Sequence, residues 1–211
     1  EFDVLDTADN VAAEVTGING AGDLDEANTV VVSGGDVTAS EADAIQAISG
    51  YDGSASDYDI TDTAASLISA GDDVLNVDGV DTVSVNAVGT GSVVGANDGA
   101  VLASFTADVE FDVEDSASSL IAVMGRDDSA SYLTEANSIT VDAVGTGSVV
   151  GANDGAVLAS FTADVEFDVL DTADNVAAEV TGINGAGDLD EANTVVVSGG
   201  DVTASEADAI Q

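Results

Sequence analysis

Short alternations of apolar and acidic residues mark the strands of this chain. Phe2 and Val4 flank Asp3, Tyr58 and Ile60 flank Asp59, and Phe111 and Val113 flank Asp112. A period of two, carried by aromatic and β-branched residues, predicts a strand. The period then changes. After Asp6-Thr7, residues Ala8, Val11, Ala12 and Val15 recur at helical spacing. Ala64, Leu67 and Ile68 do the same after Asp62, and Ala117, Leu120, Ile121 and Met124 after Asp115. Asp is a favoured N-cap and its charge suits a helix N-terminus. Asp6, Asp62, Asp115 and Asp171 are therefore expected to cap helices. Each helix runs into a Gly- or Asp-rich loop: GINGAGDLDEAN, AGDDVLNVDG or MGRDDSASYLTEAN. A second strand follows from Thr29, Thr82 or Ser138, and then a glycine-containing bend. A third short strand leads into a second helix through Ala39, Ala42 and Ile45, or through Ala100, Val101 and Phe105. The predicted unit is β-α-β-β-α.

That unit repeats, and the repeats are nested. Asp-Thr-Ala or Asp-Ser-Ala occurs at Asp6, Asp62, Asp115 and Asp171, with steps of 56, 53 and 56 residues. The partner element is DVTASEADAI from Asp36 and Asp201, and SVVGANDGAV from Ser92 and Ser148. Ala87–Val113 recurs verbatim as Ala143–Val169, and Glu166–Gln211 is identical to Glu1–Gln46, 165 residues away. The reading is three units of about 55 residues (1–57, 58–109 and 110–165), with 166–211 opening the next super-repeat. Gln211 matches Gln46, which in the first copy lies inside an apolar-periodic run. The 211 residues therefore read as a window on a longer repetitive chain, with an engineered or processed chain as the alternative.

Strands that return through helices should run parallel. A half-unit of about 27 residues falls within the range of solenoid repeats. One unit with such small side chains buries too little to be stable alone, so neighbours must stack. The expected fold is an elongated, right-handed α/β repeat solenoid with parallel strands and short helices.

Composition changes the picture in one respect. There are 42 acidic residues and one basic residue, Arg126, giving a net charge of −41. Yet 45% of the residues are hydrophobic, and they are patterned. This describes a folded body with an acidic coat rather than a disordered acid. Such a coat repels itself, so counter-ions belong to the folded state. Nucleic acid and anionic membrane surfaces are excluded as partners, because both demand Lys and Arg. No segment suits membrane insertion. The absence of Cys and His removes disulfides, thiolate chemistry, the commonest general base and the commonest transition-metal ligand. With no Lys either, neither a His-based triad nor a Ser-Lys pair can be built, and the chain is not expected to be an enzyme.

The string D-T-A-x-x-[LV] after a short aromatic strand, alternating with V-x-A-x-x-A-x-A-[IV], resembles the repeats of giant bacterial surface and secreted proteins. Its residues here are Asp6-Thr7-Ala8, Asp62-Thr63-Ala64, Asp115-Ser116-Ala117 and Asp171-Thr172-Ala173, with Val37-Thr38-Ala39, Ala42, Ala44 and Ile45 in the partner element. The resemblance implies an adhesin, a sheath or S-layer-like component, or an extracellular fibre. Ca²⁺-binding nonapeptide repeats often accompany such proteins, and this chain carries none.

The acidic loops are the candidate metal ligands: Asp23, Asp25 and Glu26 in the first, Asp72, Asp73 and Asp78 in the second, Asp127 and Asp128 in the third. Carboxylates one or two residues apart in a Gly-rich loop can surround Ca²⁺. With one residue in five charged, a solvated acidic face is the competing reading. The Gly-Thr-Gly bends at Gly89 and Gly145 read as turns, since no Lys follows them to hold a phosphate. Arg126 reads as local charge relief or as a contact to an acid on an adjoining unit. The leading functional expectation is a structural segment of a cation-stabilised extracellular fibre, sheath or surface layer that self-associates. The alternative is the stalk or ligand-binding region of an adhesin, and a Thr-array ice binder ranks below both.

Overall fold

The computed structural model describes residues 2–16, 24–86, 91–125, 133–142, 149–160, 165–180, 189 and 192–199. In chain order the elements are β1 (Asp3–Asp6), α1 (Ala8–Thr16), β2 (Thr29–Val37), α2 (Ala39–Gln46), β3 (Asp57–Asp62), α3 (Ala64–Ala70), α4 (Asp72–Leu75), β4 (Val80–Val85), β5 (Val93–Val94), α5 (Ala96–Leu102) and β6 (Val109–Glu110). They continue as β7 (Asp112–Asp115), α6 (Ala117–Met124), β8 (Ile139–Val141), β9 (Val149–Val150), α7 (Ala152–Ala159), β10 (Val165–Glu166), β11 (Asp168–Asp171), α8 (Ala173–Val180) and β12 (Thr194–Val197). The class is α/β with parallel sheets and short helices, as the alternating periods require.

The chain divides into two bodies. The first comprises residues 1–93 and 101–111, the second residues 94–100 and 112–211. In the first, five strands lie in the order β1-β2-β3-β4-β6. Asp3 pairs with Thr29, Val37 with Ile60, Ile60 with Val83, and Val83 with Val109, all in parallel. Residues 23 to 26 apart in sequence thus become lateral neighbours, one strand spacing of about 4.8 Å apart. Val30, Val32, Tyr58, Ile60, Val83 and Val85 point inward and are buried. Ala8, Val11 and Ala12 of α1, Ala39, Ala42 and Ile45 of α2, and Leu67 of α3 cover them. Alanines at these positions let the helices lie close to the sheet.

The second body holds a four-stranded sheet, β10-β8-β7-β5, and a three-stranded sheet, β12-β11-β9. Val113 and Val165 both pair with Ile139, and Val169 pairs with Val150 and Val195, again in parallel. Residues 165–171 divide their pairing: β10 joins β8, β11 joins β9 and β12, and the break falls at the buried Phe167.

The β-α-β-β-α reading meets three departures. In the first unit the second and third strands are one strand, β2. Thr29–Val32 pairs with β1, and Ser33, Asp36 and Val37 pair with β3 across a register shift. Gly34 and Gly35 make that bulge at φ 69° and 103°, a region costly for any residue with a Cβ. In the second unit the AGDDVLNVDG stretch is not all loop. Gly71 turns the chain at φ 67°, and Asp72–Leu75 forms a helical turn that buries Val74 and Leu75. The second helix of that unit also begins earlier than expected. It opens at Ala96 and ends at Leu102, leaving Phe105 beyond it.

Candidate functional site

One recurring feature is a carboxylate clasp at the end of a strand. Asp62, Asp115 and Asp171 close β3, β7 and β11, and each uses both oxygens. Oδ1 accepts the backbone N–H of the next residue, Thr63, Ser116 or Thr172, each at 2.7 Å. Oδ2 accepts the backbone N–H of Ala39 at 3.1 Å, and of Ala96 and Ala152 at 3.0 Å. Those alanines are the first residues of α2, α5 and α7. One side chain therefore ties the start of the preceding helix to the entry of the following one. It satisfies an N–H that a helix N-terminus leaves without an internal partner.

This corrects the expectation that the aspartates are N-caps. The cap is the hydroxyl residue one place later. Thr63 accepts from the Ser66 N–H, and Ser116 from the Ser119 N–H. In the partner element Thr38 and Glu41 form a complete capping box. The sequence pattern is compatible with either residue, because Asp and Thr both cap well. The register of the helix decides between them.

The clasp shapes the acids chemically. Burial alone would raise the half-buried Asp115 carboxyl, but the N–H groups of Ala96 and Ser116 and the nearby hydroxyls outweigh it and hold it below the ordinary value of 3.8. Asp171 is lowered by the Asn175 side chain, then by the Thr172 and Ala152 N–H groups. Asp6, at the end of β1, is lowered by the Asn10 side chain and the Thr7 N–H.

A second series lies at or near the strand starts. Thr29 Oγ1 donates to Asp3 at 2.9 Å, Thr82 to Asp59 at 2.5 Å, Ser138 Oγ to Asp112 at 2.7 Å, and Thr194 to Asp168 at 2.5 Å. Each rung joins an acid on one strand to a hydroxyl on the neighbouring strand or, for Ser138, just before it. Sequence reasoning missed these rungs, although the Asp of each F-D-V or Y-D-I string and the first residue of each TVVV-type string were both visible. Parallel pairing had to be in place before the two could be matched. A single pair departs from the pattern. Glu114 is held above the ordinary carboxylate value by its hydrogen bond with Asp142, then by burial and by the negative charge of Asp142.

The expected metal ligands do not gather. Asp23, Asp127 and Asp128 lie outside the described residues, as does Arg126. Asp25 and Glu26 are exposed, and Asp25 accepts the Ser49 N–H at 3.1 Å. Asp72 opens α4, where its carboxylate accepts the Thr106 N–H at 2.8 and 3.0 Å and the Ala107 N–H at 3.1 Å. The Thr106 N–H is the main reason that Asp72 lies below its ordinary value. Asp73 and Asp78 are exposed. Among the described residues, no group of three or more acidic side chains is placed to hold a metal ion.

An open groove in the first body runs along α2 and α3. Its polar lining is Ser40, Asp43, Asp62, Ser66, Ser69 and Asp73, all hydroxyls and carboxylates. Among the described residues, no helix is long and apolar enough to cross a membrane. No family model, curated protein or solved structure matches the chain.

Proposed function

We propose that this chain is a structural segment of a long, repetitive extracellular or cell-surface protein, built as a right-handed α/β solenoid that serves in a fibre, sheath or surface layer. The clasp carries this reading. Asp62, Asp115 and Asp171 repeat one set of hydrogen bonds, and each set joins a helix to the strand and helix that follow it. A residue copied for catalysis would face a substrate. These face backbone N–H groups, so what is copied is a joint between units. Right-handedness follows from the rule for parallel strands connected through helices. Stiffness comes from parallel pairing and length from repetition.

The acidic coat supplies solubility and a diffuse hold on cations. Ca²⁺ is the favoured counter-ion because it takes carboxylate oxygens. Without convergent ligands among the described residues, its role is screening and bridging of neighbouring segments rather than a caged site. The test is the response of the melting temperature to millimolar Ca²⁺ and to EGTA. A rise that EGTA reverses supports cation stabilisation, and an unchanged curve contradicts it.

A second reading, the ligand-contact region of an adhesin, draws support from the groove along α2 and α3. Its hydroxyl and carboxylate lining suits the hydroxyls of a glycan. Binding on a glycan array that Ser66→Leu abolishes would favour it over the purely structural role.

A further inference from the structure

We propose that the groove around Tyr51 in the first body is a binding site for a neutral pyranose sugar. It is separate from the groove along α2 and α3, and it adds a function to the structural role rather than resting on it.

The site falls where one unit departs from the repeat. Ile45, Val101 and Val157 hold the same place in the partner element, and Tyr58, Phe111 and Phe167 the same place in the strand that follows. Val101 to Phe111 and Val157 to Phe167 are each 10 positions, whereas Ile45 to Tyr58 is 13. Three additional residues therefore enter this one connection, which contains the short helical turn Gly53–Ala55. In repeat proteins such insertions gather in loops on one face, often the binding face.

The longer connection is held in place on both sides. The Val30 N–H donates to the Gly50 carbonyl at 2.7 Å and the Asp52 N–H to the Val30 carbonyl at 2.9 Å, so Tyr51 lies beside β2 as an extra strand residue. Ser56 Oγ donates to the Asp52 carbonyl at 2.8 Å and accepts the Val32 N–H at 3.0 Å. The Tyr51 hydroxyl donates to the Asp78 carbonyl at 2.9 Å. Burial, and then the adjacent Tyr58, push the Tyr51 phenol above its ordinary 10.0, so it stays a neutral donor. Glycines permit the close approach. A Cβ at Gly53 would collide with the Asp78 carbonyl, and one at Gly79, φ 102°, with the Tyr51 hydroxyl. A preformed site of this kind spares a ligand the cost of ordering it.

These contacts frame a groove of about 610 Å³, within the range of small-ligand sites. Asn28, Ser49, Tyr51, Asp52, Val77 and Asp78 belong to its lining. Tyr51 is half-buried, while Asn28, Ser49 and Asp78 are exposed. Among the described residues, the Asn28 amide and the Asp78 carboxylate have no hydrogen-bond partner.

The chemistry of the ligand follows from that lining. Two carboxylates with no cation beside them repel phosphates, sulfates and acidic sugars. A metal ion is poorly served, since no group of three acids converges among the described residues. A neutral ring bearing several hydroxyls suits every group present. Its hydroxyls donate to Asp52 and Asp78 in charge-assisted hydrogen bonds and exchange bonds with the Asn28 amide. Its C–H face packs on the Tyr51 ring, which is large, apolar and fixed by its own hydroxyl.

The experiment titrates the full chain with the methyl pyranosides of glucose, galactose and mannose. Binding is read by saturation-transfer NMR and by the amide shifts of Gly50, Asp52, Gly53 and Asp78. Saturable millimolar binding of at least one pyranoside, with shifts centred on those amides, is expected. The matching methyl uronides, in which a carboxylate replaces the hydroxymethyl group, should bind about ten-fold more weakly or worse. Asn28→Ala and Asp78→Ala change exposed side chains, and each should weaken binding about ten-fold. Tyr51→Ala should abolish it and Tyr51→Phe retain it. Where Tyr51→Ala fails to fold, the two exposed variants decide. Ser66→Leu, in the α2–α3 groove, should leave binding unchanged. The proposal is overturned if no pyranoside saturates at tens of millimolar, if uronides bind equally, or if Asn28→Ala and Asp78→Ala both bind as the native chain does. Loss of binding in Ser66→Leu also overturns it, by placing the sugar in the other groove. Whether the native material is filamentous is decided separately by imaging.

Discussion

At the scale of single residues, the clasp aspartates contribute more than their place in the sequence implies. Replacing Asp115 with Ala deprives the Ala96 and Ser116 N–H groups of their acceptor. The loss should be about 1–2 kcal/mol, the usual cost of a helix-end hydrogen bond together with a poorly satisfied donor. Its pH dependence has a definite sign. The folded carboxyl lies below 3.8, so its contribution is present above that value and fades as pH falls through the folded pKa. Denaturant melts of native chain and Asp115→Ala should therefore differ at neutral pH and converge in acid. Glu114 has the opposite sign. Its folded carboxyl is raised above 4.5, so it favours the fold below that value and ceases to as pH rises. The equivalent strand position is leucine at Leu5 and Leu170. Glu114→Leu should raise the melting temperature at neutral pH and have little effect near pH 4. That these acids are structural was legible from their recurrence. That they act as clasps rather than caps was not, because an Asp-Thr pair fits a helix start in two registers.

At the scale of elements, the apolar pattern located the first strand and helix of each unit. Ala8, Val11 and Ala12, and likewise Ala117, Leu120 and Met124, are buried as their spacing demands, whereas Ile121 is only half-buried and Val123, outside that pattern, is buried. The glycine-bearing segments were harder to read. Gly155 lies inside α7, where intrinsic propensity favours Ala by about 1 kcal/mol. Here contact overrides propensity. A Cβ would stand 2.8 Å from Val169 and 3.1 Å from Phe167, both fully packed. Gly155→Ala should therefore destabilise by about 1–3 kcal/mol, as overpacked cores do. A more stable variant in thermal melts would mean that α7 can lift away from the strand. The helical turn Asp72–Leu75 escaped the sequence reading because four residues are too few to show a period. It is held by Gly71, by the burial of Val74 and Leu75, and by Asp72 reaching the Thr106 and Ala107 N–H groups, 34 and 35 residues away in sequence.

At the scale of the whole molecule, charge and repetition dominate. A net charge of −41 on 211 residues opposes compaction. The screening length shortens from about 30 Å at 0.01 M salt to about 3 Å at 1 M. The melting temperature should accordingly rise steadily across that range of NaCl, and a fall would show that the acidic coat is not under strain. Composition made this legible at once, whereas the α/β class and the parallel strands were read from the alternating apolar periods. The pairing of acids with hydroxyls across strands required the register. The central claim, that these units exist to build length, is tested most directly by cryo-electron microscopy of the native material. In the proposed solenoid, strands returning about every 26 residues at about 4.8 Å each would give an axial repeat of roughly 30 Å per 165 residues. Filaments or sheets carrying that repeat are the predicted result, and discrete globular particles of uniform size would contradict it.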